Sequence, residues 1–246
     1  MKRIAVLCCV ALLALQGVAS ADLSEDFDSY ALGNIDGLGP WVDFGGTLTP
    51  DVTDTQAYSG TQSLALPVNG AEGNGYGADV FIHQMNGETV TTGMWELSYQ
   101  AYIPADFDGR QFMYISQGDP GPPDFVFKTG VNIIAENVAG LPQVRVEGGE
   151  VTPLLLDQWA EISAMIDLDA DTLEVSYNGT VFHSGTWQNS DLAAPQIGGM
   201  NAWATEGTTG TSYIDDFSLQ QVPEPGTLAM LAFAMVGLVV SYIRRK

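Results

Sequence analysis

The fold is decided by the stretch Trp159-Ala160-Glu161-Ile162-Ser163-Ala164-Met165-Ile166-Asp167-Leu168-Asp169-Ala170-Asp171-Thr172-Leu173-Glu174-Val175-Ser176-Tyr177-Asn178-Gly179. Ala160, Ile162, Ala164, Ile166 and Leu168 recur at every second position. That is the period of a strand with one buried face. A short polar link, Asp169-Ala170-Asp171, follows, and the alternation resumes with Leu173, Val175 and Tyr177. Two such runs joined so tightly predict an antiparallel hairpin. Asn178-Gly179 is a second turn signal, because both residues tolerate positive φ, and a third strand is expected at 180–186. Upstream, Trp95, Leu97, Tyr99, Ala101 and Ile103 share one face of 94–103, and Met94, Glu96, Ser98, Gln100 and Tyr102 share the other. Further strands are expected at 63–68, 76–85, 111–117, 125–134, 143–148, 196–204 and 212–220. The loop Gly118-Asp119-Pro120-Gly121-Pro122-Pro123 is excluded from any strand centre, since proline lacks the ladder donor. Residues 22–221 carry no sustained helical period, no internal repeat and no dividing linker. About a dozen short antiparallel strands predict an all-β domain of two packed sheets, a jelly-roll β-sandwich, with a barrel as the alternative.

Charge narrows the function classes. The chain of 246 residues has 8 Lys plus Arg against 30 Asp plus Glu, a formal charge of -22. Five of the eight cations are terminal: Lys2, Arg3, Arg244, Arg245 and Lys246. The middle retains only Arg110, Lys128 and Arg145. That distribution excludes a nucleic-acid binder, which needs cations to displace phosphate counterions. It also excludes a polybasic grip on anionic lipid. Both cysteines, Cys8 and Cys9, lie near the N-terminus. The middle can form neither a disulfide nor a thiolate metal site.

The ends read as addresses. Lys2 and Arg3 precede the apolar run Ile4–Leu15, and Ala19-Ser20-Ala21 is a small-residue cleavage site. Residues 1–21 are therefore expected to be a signal peptide, handled by the secretion machinery and cut by signal peptidase after Ala21. At the other end, Pro223-Glu224-Pro225 leads into an apolar stretch, Thr227–Ile243, and then Arg244-Arg245-Lys246. As a helix at about 1.5 Å per residue this stretch just reaches across a hydrocarbon core of about 30 Å. The terminal cations would stay cytoplasmic, giving an N-out, C-in anchor in the inner membrane. Residues 222–246 resemble the PEP-CTERM sorting signal. The resemblance implies recognition by an exosortase, cleavage near Pro223-Glu224-Pro225, and a destination at the cell surface or in the extracellular exopolysaccharide matrix.

Three local patterns carry a second resemblance. They are Glu25-Asp26-Phe27-Asp28-Ser29-Tyr30 with Gly33, Gly37 and Trp41; Tyr58-Ser59-Gly60-Thr61-Gln62-Ser63-Leu64; and Trp159 followed by Ile166–Thr172 and Tyr177-Asn178-Gly179. Together with Tyr213-Ile214-Asp215-Asp216-Phe217-Ser218-Leu219, they resemble the concanavalin A-like lectin/glucanase group, including laminin-G-like domains. In similar carbohydrate-binding modules a structural calcium joins the first and last strands. The resemblance carries that site onto Asp28, Asp215 and Asp216, near the turn at Ser59–Ser63. Strict alternation agrees, because it puts Asp215 beside Tyr213, Phe217 and Leu219, where a carboxylate needs a partner or a metal. Calcium, with six to eight oxygen ligands, is the candidate cofactor. The rival run Asp167-x-Asp169-x-Asp171 reads as a hairpin turn.

Catalysis has little sequence support. The glucanase branch of this fold uses Glu-x-Asp-x-Glu on one strand; here Glu96-Leu97-Ser98 and Glu161-Ile162-Ser163 put serine where aspartate is needed. A polysaccharide lyase would need Tyr, His, Arg and Gln in a groove, and only His83, His183, Arg110, Lys128 and Arg145 are available as cations or histidines. Glycan binding would use aromatic rings beside hydrogen-bonding side chains. Trp187, Trp203 with Asn201, and Trp41 lie in such polar company, whereas Trp95 and Trp159 begin strands and are expected in the core. The leading expectation is an exported, non-catalytic lectin-like protein that binds exopolysaccharide. A glycoside hydrolase or lyase of the same fold is the alternative. A purely structural matrix or adhesion protein is the third, and its mark would be buried Trp187 and Trp203.

Overall fold

The computed structural model describes residues 23–44, 48–68, 77–82, 89–118, 128–188 and 195–222. The expected signal peptide, the Pro223-Glu224-Pro225 element, the apolar stretch at 227–243, His83 and most of the 118–123 loop lie outside them. The expected hairpin forms as read. β12 (Trp159–Asp167) pairs antiparallel with β13 (Thr172–Tyr177), in the register Ile162↔Tyr177, Ala164↔Val175 and Ile166↔Leu173. The turn between them is held by Asp167 Oδ1, which accepts the amides of Asp169 at 3.0 Å and Ala170 at 2.8 Å. Asn178 and Gly179, at φ 47° and 72°, then turn the chain into β14 (Thr180–Gly185).

These strands belong to a nine-stranded antiparallel sheet completed by β1 (Leu23–Glu25), β2 (Gly33–Asn34), β4 (Asp51–Thr53), β5 (Ser63–Pro67), β7 (Met94–Tyr102) and β16 (Thr211–Val222). Its order is β14-β13-β12-β7-β16-β5-β4-β2, with β1 also paired to β16. A seven-stranded sheet, in the order β11-β10-β9-β8-β15-β6-β3, packs on it. Its strands are β3 (Trp41–Asp43), β6 (Asp79–Ile82), β8 (Asp108–Ser116), β9 (Thr129–Val138), β10 (Leu141–Val146), β11 (Val151–Pro153) and β15 (Gly199–Thr209). The protein is an all-β sandwich of two antiparallel sheets, and no α-helix occurs among the described residues.

The core lies between the sheets. Leu97, Tyr99, Ile162, Ile166 and Val175 enter from one side, and Met113, Ile115, Val131, Ile133 and Val144 from the other; all are buried. Each fully buried aliphatic or aromatic side chain contributes about 1.5–3 kcal/mol relative to exposure, so the alternating runs are what hold the sheets together. One alternation expected from sequence fails. Ile214 and Phe217 both point inward, three positions apart, because a register shift between Asp215 and Ser218 inserts a bulge with Asp216 at φ 43°. The bulge turns Asp215 out of the core face shared by Phe217 and Leu219 and under the 58–59 turn. The five shortest strands, β1 to β4 and β11, have two or three residues each. No period can be read in so few positions.

Candidate functional site

Four neighbouring strands of the seven-stranded sheet bring three rows of side chains onto its outward face. Asn201 on β15 pairs with Tyr114 on β8, which pairs with Asn132 on β9. In the next row Trp203, Phe112, Ile134 and Arg145 stand in register. In the third, Thr205, Arg110, Glu136 and Gln143 do the same. The alternate positions, Met113, Ile115, Ile133 and Val144, fill the core. Although these rows face away from the sandwich interior, Phe112 and Tyr114 are 8% exposed, Glu136 5% and Ile134 1%. The face is therefore recessed.

Its centre is an aromatic stack. The rings of Trp203 and Phe112 lie 4.5 Å apart at 4°, and Tyr114 approaches Trp203 at 6.3 Å and 58°. Beside it is a charge cluster. Glu136 accepts Arg110 Nε at 2.6 Å, Arg145 Nε at 3.1 Å and Gln143 Nε2 at 2.5 Å. Burial pushes the Glu136 carboxyl upward, but the donors Gln143, Arg145 and Arg110 outweigh it and hold the group below its ordinary value. Two of the middle's three cations thus share one carboxylate. On the other flank Asp79 accepts Asn201 Nδ2 at 2.6 Å. Burial lifts the Asp79 carboxyl to about 6, against that hydrogen bond and with help from the charge of Asp43. The face presents a stacking surface, two guanidinium groups and buried amides and carboxyls.

The structure separates the four residues expected to bind ligand. Trp203 and Asn201 stand side by side on this face. Trp187 and Trp41 do not reach it and belong to the core. Trp187 is fully buried, donates Nε1 to the Gln196 carbonyl at 3.0 Å, and covers Gly130 so closely that a Cβ there would sit 2.2 Å from its ring. Trp41 is wedged between Phe27 and Phe217, each at 5.6 Å. Polar chain neighbours misled the reading, since they are not the residues that surround either ring in space. Trp95 is core as expected, but Trp159 stands half-buried on the outward face of the nine-stranded sheet, against Tyr102 at 5.4 Å and Tyr58 at 6.0 Å. His183 pairs with Glu150, Nδ1 to Oε2 at 2.5 Å, away from the aromatic stack.

The residues carried over as calcium ligands do meet at one loop, as acceptors of protein donors. Asp28 Oδ1 takes the amides of Thr61 at 2.8 Å and Gln62 at 3.0 Å. Asp215 Oδ2 takes those of Tyr58 at 2.7 Å and Ser59 at 3.2 Å, while its Oδ1 takes Asp216 N at 2.7 Å. Asp216 Oδ1 accepts the Ser59 hydroxyl at 2.7 Å. Among the described residues no three His, Cys, Asp or Glu side chains converge as a metal cage. These carboxylates staple the 58–62 turn to the first and last strands. The sequence reading did not single out Phe112, Tyr114, Glu136 or Asp79, and it counted Arg110 and Arg145 without joining them. The period-two parity of 111–117 and 125–134 was the available signal, and it needed the strand pairing to place these groups together.

Comparison with known proteins agrees with the architecture. No curated protein matches the chain. Among solved structures, an alginate lyase, Aly36B, in complex with alginate tetrasaccharide superposes with a TM-score of 0.54 at 17% identity, over 83% of this chain and 98% of that one. The Emp47p carbohydrate recognition domain gives 0.53 at 11% identity, over 83% and 96%. A sialidase gives 0.58 at 10% identity, and there this chain spans 19% of the sialidase. Such identities speak for fold alone. At the C-terminus, residues 221–246 match the PEP-CTERM protein-sorting motif. The chain thus carries the PEP-CTERM sorting motif of an exported protein behind an all-β sandwich domain of two antiparallel sheets.

Proposed function

We propose that this protein is a non-catalytic glycan-binding module, delivered by exosortase sorting to the cell envelope or the exopolysaccharide matrix, and that its ligand lies along the recessed face of the seven-stranded sheet. The observation that carries this reading is the half-buried Trp203 stacked on Phe112, flanked by Asn201 and by the two guanidinium groups at Glu136. Ring faces take the C–H face of a pyranose, and the flanking amides and guanidinium groups bond its hydroxyls. The solved carbohydrate recognition domain and lyase with this fold support the ligand class by analogy. A glycan-array screen of the purified full chain is the test. Binding to a defined polysaccharide is expected, with loss on Trp203→Ala, and no binding to any arrayed glycan would overturn the proposal.

A second reading, a polysaccharide lyase, is favoured by one observation: Arg110, Arg145 and Tyr114 converge on the same face, as uronate chemistry would need. Against it, Glu136 already neutralises one of the two guanidinium charges. Incubation with uronate polymers separates the two, because β-elimination leaves an unsaturated product that absorbs in the ultraviolet. Binding without that absorbance is expected.

Sorting has its own test. Replacing Pro223, Glu224 and Pro225 with alanine in the native host should leave the full-length chain in the inner membrane, held N-out and C-in by the apolar stretch at 227–243. Normal processing of that variant would contradict exosortase recognition.

A further inference from the structure

A groove of about 440 Å³ runs along β5 on the outward face of the nine-stranded sheet, across the sandwich from the Trp203 stack. Register explains it. One row crosses the sheet as Asp51 on β4, Ala65 on β5, Tyr213 on β16, Tyr102 on β7 and Trp159 on β12. Residues paired in this way share a face. Val52, Leu64, Leu66 and Ile214 point the other way, into the core. On its outward side β5 therefore offers the low residues Ala65 and Pro67, between Asp51 and Thr53 on one flank and Tyr213 and Thr211 on the other. Asp51 and Tyr213 stand two strands apart, about 10 Å, and Ala65 leaves the space between them open. Tyr102 braces the Tyr213 ring from behind, at 6.0 Å and 71°. Trp159 lies two strands beyond Tyr213, outside the groove. The charge here has one sign. Asp51 and Asp54 line the groove, and among the described residues no Lys, Arg or His does. Burial, then Tyr102 and the charge of Asp106, push the Tyr213 phenol upward, so a third carboxylate acts at the same wall.

We propose that this groove is a second binding site, for a hexosamine residue that carries a free ammonium group, alone or within an oligosaccharide. The sugar's C–H face would rest against Tyr213 and Pro67, its hydroxyls would meet Thr53 and Thr211, and its ammonium would face Asp51. A tyrosine ring and a carboxylate across one slot select a cation with an apolar face over a neutral sugar or an anion. A basic peptide is the rival cation. Peptides are held on sheets chiefly by backbone pairing at an open edge. Here β4, β5 and β16 already pair with one another, so the floor has no such partners to give, and a sugar needs none. The groove shares no residue with the recessed face, so this proposal and the reading of that face fail separately.

The test is isothermal titration calorimetry on the full chain in a nonionic polyoxyethylene detergent. The probes are a D-glucosamine tetramer, its fully N-acetylated counterpart and tetralysine. The wild type and Trp203→Ala are expected to bind the glucosamine tetramer at least fivefold more tightly than the acetylated one. Asp51→Asn should reduce that preference to less than about twofold. Ala65→Arg sets a guanidinium between Asp51 and Tyr213, where the ligand's own cation would lie, and should lower affinity at least tenfold. Its charge opposite Asp51 favours the strand pair, and melting curves check that both groove variants fold. No binding of the glucosamine tetramer by the wild type, equal affinity for the two sugar tetramers, or unchanged binding in Ala65→Arg would overturn the proposal. Tetralysine binding without binding of the glucosamine tetramer would overturn it in favour of a basic peptide. Loss in Trp203→Ala with retention in Ala65→Arg would overturn it too, and would move the amine to the recessed face.

Discussion

The outward faces of the two sheets obey the same alternation and yet differ in kind. On the nine-stranded sheet, β7 and β12 present Glu96, Ser98, Gln100, Glu161 and Ser163, all half-buried or exposed. Their polar groups meet water or each other, as in the Ser98 and Ser218 hydroxyls at 2.9 Å. On the seven-stranded sheet, the equivalent positions of β8 and β9 hold Arg110, Phe112, Tyr114, Asn132, Ile134 and Glu136, and most of these are buried. A face that only needs to be wet has no use for buried carboxylates, which are costly unless paired. The difference teaches that the recessed face is organised around something other than solubility, in a domain whose cations are scarce and whose two arginines are both spent there.

Breaking the charge cluster should have the largest effect on stability. Glu136→Gln removes the carboxylate that both guanidinium groups share. It is expected to cost about 1–3 kcal/mol, discounted from a fully buried pair because the arginines are partly exposed. Denaturant unfolding measures this, and a loss under about 0.5 kcal/mol would mean the cluster is solvated like the opposite face. The matching change there, Glu161→Gln, should stay within about 0.5 kcal/mol.

A smaller effect is expected at Asp79, with opposite sign. Its folded carboxyl titrates at about 6, above the ordinary 3.8, so the native state holds the proton more tightly than the unfolded chain. Between those two values stability from this group falls as pH rises, and at pH 7 the full penalty is present. Asp79→Asn keeps an acceptor for Asn201 and should raise stability at pH 7 by about 1–2 kcal/mol, with the gain vanishing near pH 4. A variant that loses stability at pH 7 would show that the hydrogen bond from Asn201 to the ionised carboxylate outweighs the cost of burying it.

The smallest expected effect is none. The 58–62 turn is held by amide donors to Asp28 and Asp215. Melting temperature should therefore not differ between calcium and chelator at fixed ionic strength. A clear rise with calcium would restore a cation to the protein.

The fold was legible because long strands show their period. β7, β12 and β13 bury the residues their alternation names, and the Asn178-Gly179 turn closes where its chemistry says. Short strands were illegible for want of positions, and the bulge at Asp216 was illegible because one inserted residue leaves no mark in composition. The site was half legible. Trp203 and Asn201 are two apart on one strand, so sequence could couple them. Arg110, Glu136 and Arg145 come from three strands, and nothing short of the register joins them. Trp41 and Trp187 show the converse, where polar neighbours in the chain say little about a large ring that the core claims.

The most direct measurement sets one half-buried tryptophan from each face against the other. Trp203→Ala and Trp159→Ala would be titrated, with the wild type, against the polysaccharide identified on the array. The recessed-face account predicts at least a tenfold loss of affinity for Trp203→Ala and a change of less than about twofold for Trp159→Ala. Equal losses in the two variants, or a loss confined to Trp159→Ala, would contradict it.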